Sequence, residues 1–375
     1  MAGIYIHVPF CKTRCIYCDF FSQTDMGVRR QYVDAVCREA ELRKDYMKNE
    51  PVETIYFGGG TPSQLNVNEI GDILKAIKSQ FDLTALPEIT IEANPDDLNP
   101  DYLSAIKNLG INRISIGIQS FNDKELSFLN RRHSAQQAIK AVEQSKEAGF
   151  SNISIDLIYG LPNQTLDIWK ANLEQAVELN VRHISAYHLI YEEGTALHDL
   201  QQAGKITSVD EETSVQMFSV MIDRLREAGY MHYEISNFAK PDFYSRHNSS
   251  YWQGTAYLGL GSAAHSFNGE NRSFNVASIA RYLQGIDEGK PYVEVESLDR
   301  DTRYNEFILT GLRTMWGVDL NELVKRFGAE RRDYCLVNAE AYLQSNMLRL
   351  ENDRLYLTQN GIFLSDRIMS DLMWV

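Results

Sequence analysis

Three cysteines lie within eight residues of one another, Cys11, Cys15 and Cys18, in the spacing C-x3-C-x2-C. Three thiolates at this spacing bind zinc when a fourth ligand completes a tetrahedron, and His7 stands four residues before the first cysteine. The same thiolates can instead hold a [4Fe–4S] cluster in which one iron has no protein ligand. The spacing alone leaves both a zinc site and a cluster site open, with an inert structural triplet as a third interpretation.

The cysteines follow the first of six strand-like runs that are rich in β-branched residues. Segments with apolar residues at helical spacing separate these runs, which indicates βαβ units and a parallel sheet. Six units fall short of the eight that close a complete barrel. We therefore predict an α/β fold with an incomplete, open (β/α)6 barrel, and a doubly wound sheet is the alternative. The predicted strands cover residues 3–8, 53–58, 88–93, 113–118, 152–158 and 183–189.

Polar or glycine-rich positions occur at or just beyond the carboxyl ends of four of these runs. A parallel barrel brings such ends to one face, where the connecting loops build the active site. The alternative is that each residue only caps the next helix, which fits Asp156 poorly because no helix pattern begins beside it. We expect these residues to face the cysteine loop: Gly59, Gly60, Thr61, Glu92, Gln119 and Asp156.

An aromatic-rich stretch from Tyr230 to Phe267 contains "RHNSSYW" (246–252) and "GLGSAAHSF" (259–267). An imidazole at His247, with a tyrosine and a tryptophan nearby, offers an axial ligand and flat surfaces for haem. The alternative is a loop whose aromatic side chains plug the barrel mouth. The glycine-rich stretch lacks the strand-to-helix context of a phosphate-binding loop. We expect it to close over the barrel pocket, with His265 as a second, weaker candidate for contact with a ligand.

The tail from about residue 300 reads as two helices followed by the hairpin "MLRLENDRLYLT". This order is typical of a small winged-helix-like module, and its even mixture of charges favours a structural or docking role over DNA binding. We accordingly predict three parts of the chain, with boundaries at 1–205, 206–300 and 301–375.

Composition limits the class of protein. The net charge of −14 argues against nucleic acid as a partner. No run of 18 apolar residues would span a membrane, and the first residues lack the pattern of a signal peptide, so we expect a cytoplasmic protein. Five cysteines with three in one cluster indicate metal or redox chemistry rather than disulfides. Cys37 and Cys335 lie singly in helix-like segments, and we expect both to pack in apolar surroundings.

Several motifs resemble, in order and over almost the whole chain, the radical S-adenosylmethionine (SAM) superfamily in the variant of the coproporphyrinogen III dehydrogenase (HemN) group. They are "YIHVPFCKTRCIYCDF", "FGGGTPS", "IEANP", "IGIQSF", "LNRRH" and "IDLIYGLPNQT". The resemblance implies a [4Fe–4S] cluster on Cys11, Cys15 and Cys18, with the methionine part of SAM on the fourth iron. It also implies an electron donor for the cluster and reductive cleavage of SAM to a 5′-deoxyadenosyl radical.

The resemblance assigns further residues to SAM. Glycines let backbone groups approach the methionine amino group, an arginine fork suits its carboxylate, and polar side chains suit the amino group and the ribose hydroxyls. His7 is then a packed residue that supports the cysteine loop. The implied SAM contacts are Tyr5, Tyr17, Gly59, Gly60, Thr61, Glu92, Gln119, Arg131 and Asp156.

Two departures bear on function. The decarboxylating HemN enzymes carry a further cysteine in a C-x-C arrangement, whereas here Cys18 is followed by Asp19 and Phe20. The stretch from His247 to Trp252 resembles the H-N-x-x-Y-W signature of the HemW proteins, which are haem chaperones. This resemblance implies haem on His247 and delivery of haem to acceptor proteins, with any membrane contact made through partners. The alternatives are an oxygen-independent coproporphyrinogen III oxidase and a radical SAM enzyme with another substrate.

Overall fold

The computed structural model describes residues 2–375, and six parallel strands form the centre of its large sheet. Each strand pairs with the next in chain order, which excludes the doubly wound alternative because that fold reverses its strand order. The order is linear, without a pair that closes the ring, so the predicted open barrel is confirmed. The strands are β1 Ala2–Val8, β2 Val52–Gly59, β3 Leu83–Ala93, β4 Arg113–Gln119, β5 Asn152–Tyr159 and β6 His183–His188.

Helices connect these strands and cover the outside of the barrel. The helix after β2 begins with a capping box, in which Asn66 accepts from the backbone of Glu69 and the Glu69 carboxylate accepts from the backbone of Asn66. The apolar residues of this helix recur at helical spacing and are buried in the main hydrophobic core, against the outer face of the strands. The helices are α1 Arg29–Leu42, α2 Val67–Gln80, α3 Pro100–Asn108, α4 Asp123–Phe128, α5 Ala135–Glu147 and α6 Leu166–Glu178.

Six further strands extend both edges of this sheet, and the sequence analysis did not predict them. One group adds to the β1 edge, beginning with a parallel pairing, and the other adds antiparallel to the β6 edge. The elements of this region are α7 Ala196–Gln202, α8 Glu211–Glu227, β7 Met231–Glu234, β8 Asn237–Ala239, α9 Arg246–Trp252, β9 Tyr257–Leu260, β10 His265–Phe267, β11 Asn271–Asn275, α10 Ile279–Asp287 and β12 Val293–Ser297.

The last part of the chain has its own apolar core, centred on side chains such as Tyr304, Ile308 and Leu355. The expected hairpin is present, and Asn352 and Asp353 form its turn with positive φ angles. Three helices, rather than the predicted two, precede the hairpin, and two short ones follow it. The elements are α11 Arg300–Leu312, β13 Val318–Asp319, α12 Leu320–Phe327, α13 Ala329–Gln344, β14 Leu348–Glu351, β15 Arg354–Leu357, α14 Gln359–Ile362 and α15 Ser365–Asp371. Within residues 2–375, no helix is long and apolar enough to cross a membrane.

A buried carboxylate on α1 ties the barrel to the strands added at its β1 edge. Glu39 is 0% exposed. It accepts hydrogen bonds from the backbone N–H of Gly261 at 2.8 Å, from Asn275 Nδ2 at 2.8 Å and from the Tyr282 hydroxyl at 2.7 Å. Arg43, one turn along α1, donates to the same carboxylate at 3.2 Å. Four donors therefore compensate the burial of one negative charge.

Replacing Glu39 by alanine should destabilise the protein strongly, because Arg43 and three further donors would remain buried without their acceptor. The expected loss is about 3–5 kcal/mol of unfolding free energy, measured by urea denaturation. Glu41→Ala is the matched control on the same helix. Glu41 pairs with Arg38 at the surface, where an ion pair contributes at most about 1 kcal/mol. Equal losses in the two variants would contradict the role given to Glu39.

Candidate functional site

A cavity of about 500 Å³ lies at the carboxyl ends of the six parallel strands. Its lining includes the three clustered cysteines and most of the polar residues that the sequence analysis expected at this face. Tyr5 is the exception among the implied SAM contacts: it is not one of the residues that line the cavity. The expected residues that do line it are Cys11, Cys15, Cys18, Tyr17, Gly59, Gly60, Thr61, Glu92, Gln119, Arg131 and Asp156.

Backbone hydrogen bonds fix the cysteine loop where it leaves β1. Cys11 N–H donates to the carbonyl of Gln23 at 2.9 Å, and Gln23 N–H donates to the carbonyl of Pro9 at 2.8 Å. The Thr61 hydroxyl lies 3.4 Å from Cys11 Sγ. Burial raises the pKa of the Cys18 thiol to about 11. Within residues 2–375, no three His, Cys, Asp or Glu side chains are grouped as ligands of one metal ion. The three cysteines of the loop all line the cavity.

Glycines at the end of β2 allow the backbone to pass directly against β1. A Cβ atom on Gly60 would lie 2.8 Å from the carbonyl oxygen of Val8. Gly59 has φ +105°, and a Cβ atom there would lie 2.6 Å from the ring of His7. The Nε2–H of His7 donates to the carbonyl of Phe21 at 2.8 Å. The Nδ1 atom of the same ring lies 3.2 Å from the Tyr5 hydroxyl. His7 therefore braces the cysteine loop, as expected.

Two carboxyl groups form one wall of the cavity. Burial raises the pKa of Glu92 to about 7, although the Tyr56 hydroxyl donates to its carboxyl at 2.7 Å. Burial likewise raises the pKa of Asp156 to about 6, and Ser115 donates to this carboxyl at 3.3 Å. Asp156 lies inside β5, three residues before its end at Tyr159, rather than at the end of the strand as expected. Near neutral pH the carboxyl groups of Glu92 and Asp156 can therefore both accept hydrogen bonds and exchange protons.

A buried cation that no sequence pattern indicated interacts with these carboxyl groups. Arg113 is 1% exposed, and its Nε and Nη1 have no hydrogen-bond partner among the described residues. Its charge lowers the pKa of both Glu92 and Asp156 and so partly opposes the effect of their burial. An arginine at the first position of a strand usually reads as a surface residue, so the pattern gave no signal.

Arg131 stands where the cysteine loop meets the polar wall. Its Nη2 donates to Asn94 Oδ1 at 2.6 Å and to the carbonyl of Gly117, and its Nη1 donates to Cys15 Sγ at 3.4 Å. Its Nε is buried without a partner within the described residues. The cavity therefore combines thiols, a guanidinium with one unsatisfied N–H and two buried carboxyl groups. This donor set fits an iron–sulfur cluster with a zwitterionic amino-acid ligand.

The structure places His247 at the other end of the barrel. It lies on α9, next to Gly3 and Thr54 near the amino-terminal ends of β1 and β2 and next to Glu88 in the middle of β3, and it is 1% exposed. Both ring nitrogens are engaged: Nδ1 with the Thr54 hydroxyl at 2.8 Å and Nε2 with the Tyr251 hydroxyl at 2.7 Å. Burial lowers the pKa of His247 to about 3. The aromatic plug therefore closes the base of the barrel, not its mouth.

Aromatic rings surround this imidazole. Tyr56 stacks on it with a centroid distance of 4.9 Å, and Tyr5 lies at 6.4 Å. Trp252 lies under the guanidinium of Arg313 at 5.0 Å. The same α9 helix thus supplies the histidine, a tyrosine that bonds it and a tryptophan that contacts the C-terminal part of the chain.

The glycine-rich loop differs from the expectation. Gly261 and Ser262 pack behind β1 against Glu39 and Tyr32, and the loop is not among the described residues that line the cavity. His265 is exposed on β10, with its ring 5.3 Å from Phe274. In the described structure the loop therefore lies against α1 rather than over the cavity.

His188 lines the cavity, although the sequence analysis did not single it out. It is the last residue of β6, so the rule that selected Glu92 and Gln119, a polar residue at the carboxyl end of a parallel strand, would also have found it. The two cysteines outside the loop behave as expected: Cys335 is fully buried and Cys37 packs against the main core.

Comparison with known proteins assigns the family. The profile of the radical SAM superfamily matches residues 5–176, and that of the HemN C-terminal domain matches residues 298–364. The chain is 34% identical to "Heme chaperone HemW" of Lactococcus lactis, over 98% of this chain and 96% of that protein. It is also 34% identical to "Heme chaperone HemW" of Mycobacterium tuberculosis, over 99% of this chain and 94% of that protein.

A mitochondrial protein and a solved structure are also similar to this chain. The bovine "Radical S-adenosyl methionine domain-containing protein 1, mitochondrial" is 34% identical over 86% of this chain and 70% of its own length. The structure of coproporphyrinogen III oxidase (HemN) from Escherichia coli superposes with a TM-score of 0.86, over 99% of this chain and 90% of that chain. At 24% identity this likeness shows a shared fold. With its cysteine loop, its polar cavity and its full-length relatives, the chain belongs to the radical SAM superfamily and, within it, to the HemW family.

Proposed function

We propose that this protein is a haem chaperone that binds haem and delivers it to acceptor proteins, with a [4Fe–4S] cluster and SAM in the cavity of the barrel. The observation that carries the proposal over the oxidase alternative is the lining of the cavity. Asp19 and Phe20 line it beside Cys18, in the stretch where the decarboxylating enzymes carry their further cysteine. The full-length similarity to proteins named haem chaperones supports the same choice.

The cavity supplies separate groups for the two cofactors. Cys11, Cys15 and Cys18 would hold the cluster, and the unsatisfied Nε of Arg131 would meet the carboxylate of SAM. Bound together, the cluster and SAM supply one-electron chemistry. Ionised Glu92 and Asp156 would accept hydrogen bonds from the amino group and the ribose hydroxyls, with Gln119, Tyr17 and the segment Gly59 to Thr61 completing the wall. Tyr5 lies behind this wall and would support it through His7.

His247 is the proposed haem ligand of α9. Its imidazole is neutral because burial lowers its pKa, which leaves a lone pair for iron. Ligation requires α9 to move away from the base of the barrel, which breaks the bond to Thr54, and requires the Tyr251 hydroxyl on the same helix to release Nε2. The haem acceptor and the electron donor for the cluster are the protein partners that this function requires.

Anaerobic reconstitution should give about four irons and four sulfides per chain. Replacing Cys11, Cys15 or Cys18 by alanine should abolish the brown chromophore, because each removes one of three ligands. Cys37→Ala and Cys335→Ala are the matched controls and should keep it. One equivalent of zinc without sulfide in anaerobically purified protein would contradict the cluster.

Arg131→Ala should weaken SAM binding by roughly 1.5–3 kcal/mol, because it removes a charge-assisted hydrogen bond to the carboxylate. The measurement is a calorimetric titration of the reconstituted protein. Arg132→Ala is the neighbouring control, since Arg132 pairs with Asp96 and Asp97. Iron and sulfide content should stay at the wild-type level, because the contact of Arg131 with Cys15 is not a bond to iron. If the SAM affinity of Arg131→Ala equals that of wild type, Arg131 does not bind SAM and only supports the cysteine loop through Cys15.

The function is tested by giving reconstituted protein haem and, separately, coproporphyrinogen III with SAM and a reductant. We expect stable haem uptake, seen as a Soret band, and no decarboxylation. His247→Ala should sharply reduce haem retention while the cluster persists, and Trp252→Ala should reduce it less because no iron bond is lost. His265→Ala is the control histidine. Formation of protoporphyrinogen IX without haem binding would establish the oxidase instead.

A further inference from the structure

A short segment of the C-terminal part of the chain, residues 313–316, runs beside β7 at one edge of the large sheet. Its backbone is bonded to that strand and to the residue that follows it. Ile235 N–H donates to the carbonyl of Arg313 at 3.3 Å, and Met315 N–H donates to the carbonyl of Tyr233 at 3.0 Å. This segment, here called the α9 clamp, is therefore fixed to the main sheet by main-chain hydrogen bonds.

Arg313 of the α9 clamp covers the last residue of α9. Its guanidinium lies 5.0 Å from the centre of the Trp252 ring, which is a cation–π contact. The Nε atom of Arg313 also forms an ion pair at 2.5 Å with the carboxylate of Glu234, which is 2% exposed. Because this ion pair already orders the arginine side chain, the contact with Trp252 requires little further loss of conformational entropy.

Three aromatic rings join the α9 clamp to the start of α9. Trp316 meets Tyr244 edge-on at a centroid distance of 6.0 Å, and Tyr233 lies 6.1 Å from Trp316 and 4.9 Å from Tyr244. Tyr244 immediately precedes Ser245, the N-cap residue of α9, whose backbone N–H donates to the Tyr233 hydroxyl at 3.4 Å. The clamp thus contacts the chain at both ends of α9.

The contact with Trp252 lies on the side of α9 that faces away from the barrel. With 3.6 residues per turn, Tyr251 projects from nearly the same side of the helix as His247, and the two side chains bond each other. Trp252 projects about 140° around the helix axis from His247. Since His247 packs against the strands of the barrel, Arg313 lies in the direction in which α9 has to move when it leaves them.

We propose that the α9 clamp controls the access of haem to His247, because α9 leaves the barrel only when Arg313 and Trp316 release it. This proposal rests on the proposed function and names how the haem site is regulated. Arg313 and Trp316 act as positioning residues, since they hold the helix that carries the ligand and do not bind iron themselves. The C-terminal part of the chain thereby determines how often His247 becomes accessible.

The first test is amide hydrogen exchange of residues 246–252 in the reconstituted full-length protein without haem. The double variant Arg313→Met/Glu234→Gln removes the guanidinium without leaving a buried, unpaired carboxylate. Exchange in α9 should become at least about threefold faster in this variant, because the helix opens more often. Trp316→Leu weakens the contact at the other end of α9 without changing any charge, and it should accelerate exchange in the same way.

The second test is haem binding, followed by the rate at which the Soret band appears and by a titration at equilibrium. Arg313→Met/Glu234→Gln should raise the apparent affinity for haem about fivefold, in proportion to the open fraction of α9. Adding His247→Ala should abolish this gain. Arg331→Met is the matched control, since Arg331 makes the same kind of contact with Trp374, at 3.2 Å, within the C-terminal part of the chain. It should leave exchange in α9 and haem binding at the wild-type level.

The outcomes distinguish the clamp from the function. If exchange in α9 is the same in wild type, in the double variant and in Trp316→Leu, the clamp does not hold the helix and the proposal is wrong. Equal acceleration in Arg331→Met would show a general loosening and would also overturn it. If exchange rises but haem binding stays at the wild-type level, access is not controlled by the clamp, while the chaperone function stands. If wild type binds no haem, the chaperone function itself fails.

Discussion

The direct backbone contact between the ends of β1 and β2 determines where everything else in the cavity lies. Gly60 N–H donates to the carbonyl of Val8 at 2.8 Å, and Thr61 N–H donates to the carbonyl of Phe10 at 2.8 Å. A Cβ atom at Gly60 would lie 2.8 Å from the carbonyl oxygen of Val8, so any other residue at this position would force the ends of β1 and β2 apart. The cysteine loop starts at this point. The distance from its thiols to the carboxyl groups of the neighbouring strands is therefore fixed by main-chain geometry rather than by flexible side chains.

The six central strands could be predicted because each is a β-branched run buried on both faces, a pattern with few alternatives. The six edge strands have three to five residues each, too short for a periodic signal. Their positions depend on distant contacts, such as the bond between Glu39 and Asn275 across the chain. Local pattern contains no information about such a contact. The third helix before the C-terminal hairpin was missed for a related reason, since only Gly328 separates α12 from α13.

The site was predictable to the extent that one rule applies to it. Parallel strands align their carboxyl ends, so Glu92 and Gln119 could be placed beside the cysteines from sequence alone. The rule does not predict Arg113, because this residue is at the start of its strand rather than at the end. It also does not predict which end of the barrel α9 covers. The chain crosses two antiparallel strands, β7 and β8, before reaching His247. Each reversal changes the end of the barrel at which the next segment emerges.

The position of Tyr56 joins the two ends of the barrel. Its hydroxyl bonds Glu92 in the cavity wall, and its ring stacks on His247 at the base. Freeing His247 forfeits two hydrogen bonds of about 1 kcal/mol each and stacking of about 1 kcal/mol, roughly 3 kcal/mol in all. The open form is then populated by on the order of one molecule in a hundred, and the proposed ligation of haem by His247 would be weakened by the same factor. If the protein carries haem as proposed, the closed form would exclude free haem from the base of the barrel, and loading would require a shift of this equilibrium towards the open form.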